Sequence, residues 1–305
     1  MSGPLLRHLA IIGMGLIGSS LARAVRQAGL ADIVTAIDAD AAVRATVGRL
    51  GLADQVSGDA ANAVIDADLV MLATPVGAYA GIAETIGRRL KPGAIVSDVG
   101  SVKAVVASAV APHLPAGVHL VPGHPVAGTE ESGPQAGFAA LFHGRWSILT
   151  PAPGTDENAV ATVRALWQGV GAKVELMDAA HHDLVLAITS HVPHLIAYNI
   201  VGTASHLEEV TRSEVIKYSA GGFRDFTRIA ASDPTMWRDV FLANRDAVLE
   251  MLGRFTEDLT ALQRAIRFGD GEALFDLFSR TREIRRRIID EGQDAPTPDF
   301  GRRHE

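Results

Sequence analysis

The sequence has no cysteine among its 305 residues. That excludes disulfides, thiolate catalysis and Cys-ligated zinc or iron–sulfur clusters, and it suits a reducing compartment. Positive charge is in deficit: the formal charge of −7 argues against nucleic acid as the main ligand, which demands a clustered basic surface. A small acidic substrate stays compatible, because its site needs a few local cations. No apolar run has the length of a membrane span. Leu9–Gly13 is too short for a signal-peptide core and runs straight into a glycine turn. The chain is therefore expected to be a soluble cytoplasmic enzyme, without nucleic-acid or membrane partners and long enough for two domains.

The first half alternates strand and helix. Leu9–Gly13, Ile33–Asp38, Leu69–Ala73, Ile95–Val99 and Val118–Val121 read as buried strands, with helical stretches at Leu16–Gln27, Ala41–Leu50, 76–90 and Val102–Ala111 between them. Short β-branched runs separated by helices predict a parallel sheet covered on both faces. Trp146–Thr150 and Val174–Met177, flanking a helix at Asp156–Val170, are expected to extend that sheet. After Asp178 the strand signals stop, and 180–206, 208–218, 235–267 and 271–290 read as helices. Helix 235–267 carries Val240, Leu242, Val248, Met251, Leu252, Phe255, Leu259 and Leu262 at helical spacing,. The expected organisation is an α/β chain: a dinucleotide-binding domain over 1–178, an all-α domain over 179–290 and a mobile tail over 291–305.

Gly13-Met14-Gly15-Leu16-Ile17-Gly18 lies after the first strand and opens the first helix. Glycines there permit a tight turn, the approach of pyrophosphate to the helix N-terminus and close helix–strand packing. Asp38 ends the second strand, twenty residues past Gly18. A carboxylate at that place accepts hydrogen bonds from a ribose 2′-OH and repels a 2′-phosphate, which favours NAD over NADP. Arg44 and Arg49 lie deeper in the next helix and leave that preference standing. Thr74-Pro75 follows the third buried strand. It reads equally as strand-end punctuation or as a loop flanking the cofactor.

The densest chemistry lies in Gly123-His124-Pro125-Val126-Ala127-Gly128-Thr129-Glu130-Glu131-Ser132-Gly133. Here a histidine, two carboxylates and three glycines leave the carboxyl end of a strand, where ligands sit in open α/β sheets. Histidine exchanges a proton near neutral pH. In Asp98-Val99-Gly100-Ser101-Val102-Lys103, Ser101 is placed either to cap the following helix or to orient a neighbouring catalytic group,. His113, His119, His143 and His206 have no companion pattern and read as structural or surface groups. His191 and His194, at i and i+3 of one helix, share a face with Ala187 and Ile188,. No carboxylate completes a metal set, so no metal is expected. Gly221-Gly222-Phe223-Arg224-Asp225-Phe226-Thr227-Arg228 reads as a loop that presents cations. The Arg228 fork matches a carboxylate, although composition alone equally fits a solvated ion pair.

Together these segments resemble the prephenate/arogenate dehydrogenase family of tyrosine biosynthesis. GMGLIG, DVGSVK, GHPVAGTEESG, SHVPH and FRDFTRIAASDP occur in the family's order over about residues 8–290. The resemblance implies a Rossmann-type NAD(P) domain, a helical domain that forms a homodimer, and an active site between them. It implies NAD-dependent oxidative decarboxylation of prephenate to 4-hydroxyphenylpyruvate, with arogenate or dual specificity as the alternative. His124 matches the catalytic histidine and Ser101 the serine beside it; His191, His194 and Arg228 match substrate-binding positions. Arg224 falls where some relatives carry lysine, and Trp237 matches a tryptophan that reaches the neighbouring subunit's site. Glu130 or Glu131 would suit the ammonium of arogenate. Neither a chorismate mutase domain nor a C-terminal regulatory domain is expected. A β-hydroxyacid dehydrogenase is the more distant alternative, but it needs a catalytic lysine in the helical domain, where Lys217 stands without a motif.

Overall fold

The computed structural model describes residues 3–205, 217 and 221–290. The helix expected over 208–218 falls outside these residues except for Lys217, and so do His206 and the tail 291–305. Six parallel strands form the main sheet in the order β3-β2-β1-β4-β5-β6: β1 Leu6–Ile12, β2 Ala31–Ile37, β3 Gln55–Ser57, β4 Leu69–Leu72, β5 Ile95–Asp98 and β6 His119–Val121. Alternation along the strands splits the core in two. Leu9, Ile11, Leu69 and Met71 pack with Leu21, Val25, Phe142 and Trp167 on one face. Ala10, Ile12, Val70 and Leu72 pack with Tyr79, Ile86 and Val106 on the other. Helices α1 Leu16–Ala28, α2 Ala41–Arg49, α3 Ala60–Ala63, α4 Tyr79–Gly87 and α5 Ala104–Val110 make the crossovers.

The later strands do not extend this sheet. β7 Gly123–Pro125, β8 Trp146–Leu149 and β9 Lys173–Leu176 form a second sheet, with β7 antiparallel to β8 and β8 parallel to β9 across helix α6 Glu157–Gly169. Pro122 explains the change of sheet. It lacks the N–H that would continue the ladder of β6, so pairing stops at Val121, and the Pro122 carbonyl accepts from Thr150 instead at 2.9 Å. His124 consequently stands on a strand, opposite Ile148, and not in the loop that its glycines suggested.

Helices α7 Ala179–Leu186 and α8 Val192–Ser205 run on through a π-helical turn over Ala187–His191. Pro193 accounts for the widened turn: it donates no hydrogen bond and its ring crowds the carbonyl four residues back. Across 179–205 the helix is long and apolar enough to span a membrane, with mean hydropathy 1.5, which corrects the expectation that no such segment exists. It carries His182, Asp183 and His191, all buried, although only 28% of its apolar stretch is buried. Short helix α9 Gly221–Thr227 and a 3-10 turn at Arg228–Ala231 replace the expected cation-bearing loop.

The single helix expected over 235–267 divides at Asn244 into α10 Pro234–Ala243 and α11 Arg245–Phe268. Asn244 leaves helical geometry, with φ −107° and ψ 31°, as a residue whose side chain competes for backbone partners does. The chain divides into two compact units, one ending at Arg245 and one beginning at Asp246. In the second unit, α11 turns at Gly269 into α12 Gly271–Asp290. Asp270 caps α12 by accepting from the Ala273 amide at 3.0 Å,.

Candidate active site

The glycine turn after β1 is built for a dinucleotide. Gly13 has φ +98°, and a Cβ added there would lie 2.5 Å from the Ala73 carbonyl oxygen. Gly15 borders open space, with nothing within 4 Å of an added Cβ. No side chain caps the N-terminus of α1, so its first-turn amides are available to an anion. Asp38 accepts from the Met14 amide at 2.8 Å and the Asp40 amide at 2.9 Å. A carboxylate has roughly four acceptor positions, so Asp38 keeps capacity for ribose hydroxyls. Leu16 and Ile17 are half-buried on the turn, Pro75 is exposed, and the Thr74 hydroxyl is buried without a partner. These residues fit NAD. Arg44 reaches farther back than its place in the sequence suggested: its Nη1 donates to the Asp38 and Ala39 carbonyls, each at 2.8 Å.

His124 is 7% exposed, and its Nδ1 lies 2.9 Å from Nε2 of His182. Nδ1 of His182 lies 2.8 Å from Oδ1 of Asp183. Beneath β7, fully buried Lys103 pairs with Asp98 and donates to the Gly123 carbonyl at 2.7 Å. Burial, and then the neighbouring His182, Lys103 and His191, hold the His124 pKa well below the usual 6.5,. Its imidazole is therefore neutral at physiological pH and free to accept a proton. Burial likewise lowers the Lys103 pKa, against the opposing pull of Asp98 and Asp183.

Ser101 is not a helix cap. Helix α5 begins three residues later, and the amides of Lys103 and Ala104 donate to Asp183 at 2.7 and 2.9 Å. The Ser101 hydroxyl has no hydrogen-bond partner among the described residues. His191 is fully buried, its Nδ1 lies 3.0 Å from the Asn244 amide nitrogen, and its Nε2 is unpartnered. The Ser101 backbone also acts on the ring, raising its pKa against the effect of burial. His194 stacks on Trp237 with ring centroids 3.7 Å apart and faces the Ser190 carbonyl through Nδ1 at 2.8 Å. Burial lowers its pKa, partly offset by the Ser190 backbone and reinforced by the Arg228 charge.

The shared face of His191 and His194 holds, since both rings meet Trp237. Ala187 is buried with them, but Ile188 is 47% exposed. The π turn has rotated it away. No cluster of three metal-ligating side chains occurs among the described residues. Trp237, expected to reach a neighbouring subunit, is 6% exposed and buried against its own chain's histidines and Val240.

Arg228 Nη1 pairs with Glu130 Oε2 at 2.5 Å, both side chains partly exposed. Glu131 points outward. Arg224, on α9, has a side chain 74% exposed and faces Asp225 at 4.0 Å; it does not join the cluster. The loop carrying Glu130 is tied to α1, where the Ser20 hydroxyl accepts from the Phe138 amide at 3.1 Å. In the sequence, Asp98 and Lys103 entered only as members of DVGSVK, and Asn244 carried no motif of its own.

The burial of His191 has a measurable consequence. Its pKa is lowered to about 4, first by burial. Because the folded value lies below the unfolded 6.5, the unfolded chain binds the proton first as pH falls. Stability is full above pH 6.5 and is lost between 6.5 and 4, by about 3 kcal/mol for this group. Urea unfolding at pH 7.5 and pH 4 is expected to show a steeper loss for the native chain than for a His191→Gln variant.

Comparison with known proteins supplies the family. Residues 21–176 match the nucleotide-binding domain of prephenate dehydrogenase and residues 178–280 its dimerization domain. A cyclohexadienyl dehydrogenase of Zymomonas mobilis is 44% identical over 279 residues, covering 92% of this chain and 95% of that protein. The crystal structure of prephenate dehydrogenase from A. aeolicus, in complex with hydroxyphenyl propionate and NAD+, superposes with a TM-score of 0.86. It is 34% identical and covers 94% of this chain and 99% of that one. Synechocystis arogenate dehydrogenase superposes with a TM-score of 0.76 at 26% identity, over 92% of this chain and 99% of that one. With matches of this extent through both halves, the chain belongs to the prephenate dehydrogenase family of NAD-dependent oxidoreductases.

Proposed function

We propose that this chain oxidises prephenate with NAD, releasing CO2 and 4-hydroxyphenylpyruvate, and that His124 is its proton acceptor. The observation that carries the reading is a buried imidazole held neutral on β7, beyond the carboxyl edge of a dinucleotide-binding sheet. NAD, held at Gly13, Gly15, Gly18 and Asp38 with Leu16, Ile17, Thr74 and Pro75 around it, supplies the acceptor for the hydride that leaves C4 of the ring.

His124 takes the proton of the C4 hydroxyl as that carbon is oxidised, and returns it to the phenolic oxygen once CO2 has left C1. In this reading the Ser101 hydroxyl orients the substrate hydroxyl. Arg228 receives the side-chain carboxylate, with His191 and His194 beside it; Trp237 supports His194 by stacking. A strong cation on the ring carboxylate would oppose its loss, which is why Arg228 is assigned to the other one. Arg224, exposed on α9, has at most an electrostatic part in attracting a dianionic substrate.

Arogenate carries an ammonium where prephenate has a keto group, and Glu130 is a carboxylate beside Arg228. That observation supports dual specificity as the second reading. Steady-state rates with prephenate and arogenate, each with NAD and NADP, test both. Turnover of neither compound would overturn the proposal. Exposed Leu249, Ile266, Phe268, Phe275 and Phe278 on α11 and α12 support a homodimer, since so much apolar surface seldom faces water. A cytoplasmic location accompanies this reading.

Asp38 is expected to set the cofactor preference. In an Asp38→Ser variant the charge that repels a 2′-phosphate is gone, while the Arg44 guanidinium remains beside it. The ratio of kcat/KM for NADP to that for NAD should rise by at least about tenfold, the effect of roughly 1.4 kcal/mol. Fluorescence titration of each cofactor, without substrate, should shift in the same direction.

A further inference from the structure

Two buried imidazoles, His124 and His191, are each hydrogen-bonded through Nδ1 to a partner whose own contacts set which of the two donates. We propose that Asp183, through His182, and Asn244 hold His124 and His191 in opposite tautomers, so that His124 presents a bare Nε2 and His191 an Nε2–H. The inference deepens the proposed reaction by assigning its acceptor and a neutral donor, and it rests on that reading for the identity of the substrate.

The assignment for His124 starts at Asp183. Its carboxylate is 4% exposed and accepts the Lys103 and Ala104 amides on its two oxygens. It has no proton to give, so the contact from Nδ1 of His182 to Oδ1 must be an N–H donation,. A neutral His182 then has a lone pair on Nε2. The 2.9 Å contact with Nδ1 of His124 requires His124 to donate there, which leaves its Nε2 bare. An imidazolium at His182 would reverse that last hydrogen bond and leave His124 protonated on the wrong nitrogen. The helix-capping role of Asp183 thus ties the start of α5 to the state of the reacting imidazole.

The assignment for His191 starts at Asn244. Its side chain contacts the Asp183 carbonyl at 2.8 Å as well as Nδ1 of His191 at 3.0 Å. A carbonyl only accepts, which fixes the amide nitrogen, not the oxygen, at this position. Nδ1 of His191 is therefore the acceptor and Nε2 carries the proton. That Nε2 is buried and unpartnered among the described residues. An unpaired buried N–H is costly, and a substrate oxygen is the partner it lacks. Beside Arg228, a neutral donor adds a hydrogen bond to the side-chain end of the substrate without adding a second full charge. His182, Asp183 and Asn244 are positioning residues in this scheme, since none of them meets the substrate.

Long-range proton–nitrogen NMR on the full-length chain, labelled with 15N-histidine and studied at pH 7.5 without substrate, tests the proposal directly. Signals are assigned by their loss in single His124→Gln and His191→Gln variants. The expected result is a protonated Nδ1 on His124 and a protonated Nε2 on His191. Either ring in the other tautomer overturns the proposal, and this readout does not depend on which substrate the enzyme takes.

Turnover supplies the second arm. His182→Gln keeps an acceptor toward His124 and a donor toward Asp183, so it should retain most of kcat. His182→Leu keeps neither and should lose at least about tenfold in kcat with KM little changed. Equal losses in the two variants would make His182 a packing residue and overturn its part in the scheme. If the leucine variant fails to fold, the NMR result on the native chain still decides.

Discussion

Replacing His124 with asparagine is expected to lower kcat by about 10²–10⁴-fold, the usual contribution of a positioned general base. NAD affinity should be nearly unchanged. The two effects separate because the imidazole sits on β7, whereas the dinucleotide cradle is built from the turn after β1 and the end of β2. Asparagine keeps a polar group on the strand and a donor for Nε2 of His182, so the fold has little reason to change, but it takes up no proton. Single-turnover rates with prephenate, alongside titration of NAD in the absence of substrate, check both halves. Retained turnover would remove His124 as the base.

The pH profile of the native enzyme should carry the same signature. Burial holds the His124 pKa well below 6.5, and the base works only when neutral. kcat/KM is therefore expected to stay level through neutral pH and to fall only in acid, below the ordinary histidine value. A limb centred at or above 6.5 would assign the titration to another group.

What could be read from the sequence, and what could not, follows from the range of the physics involved. The turn at Gly13–Gly18 is a local arrangement of strand, glycines and helix, and Asp38 lies at a fixed strand length from it, so both were legible. His124 was legible because a histidine at a strand end among glycines is unusual. Its hydrogen-bond partner His182 is 58 residues away, and Asp183 lies 80 residues from the Lys103 amide that it accepts. Such convergence is decided by packing between elements, and no spacing within one element announces it. Lys103 was in plain view within DVGSVK, yet nothing local says that its ammonium is wholly buried beneath β7.

Some of what was missed did leave a local trace. Pro122 stands where a continuing strand would need an N–H, and it marks the change of sheet. Pro193 sits early in an otherwise regular helix and marks the π turn that rotates Ile188 outward. Asn244 is a weak helix former amid an apolar helical repeat, and it marks both the break in that helix and a side chain turned to other work.

Replacing Arg228 with alanine is expected to raise KM for prephenate by about 10- to 10²-fold while leaving kcat nearly intact, as the loss of one or two hydrogen bonds to a charged group would. The guanidinium is already engaged: Glu130 occupies it at 2.5 Å. With both side chains partly exposed, that pair is worth roughly 0–1 kcal/mol, so a substrate carboxylate can displace Glu130 at little cost. Removing the competitor should then have the opposite sign. Glu130→Gln is expected to lower KM for prephenate, because Arg228 no longer needs to exchange partners. With arogenate the sign should turn again, since the same substitution removes the carboxylate that would meet the substrate's ammonium. A fall in KM for prephenate together with a rise for arogenate would place Glu130 at the side-chain end of the site and make it the residue that weighs the two compounds. A parallel change for both would leave it as a simple competitor for Arg228, and an unchanged KM for both would place the ion pair outside the path of the substrate.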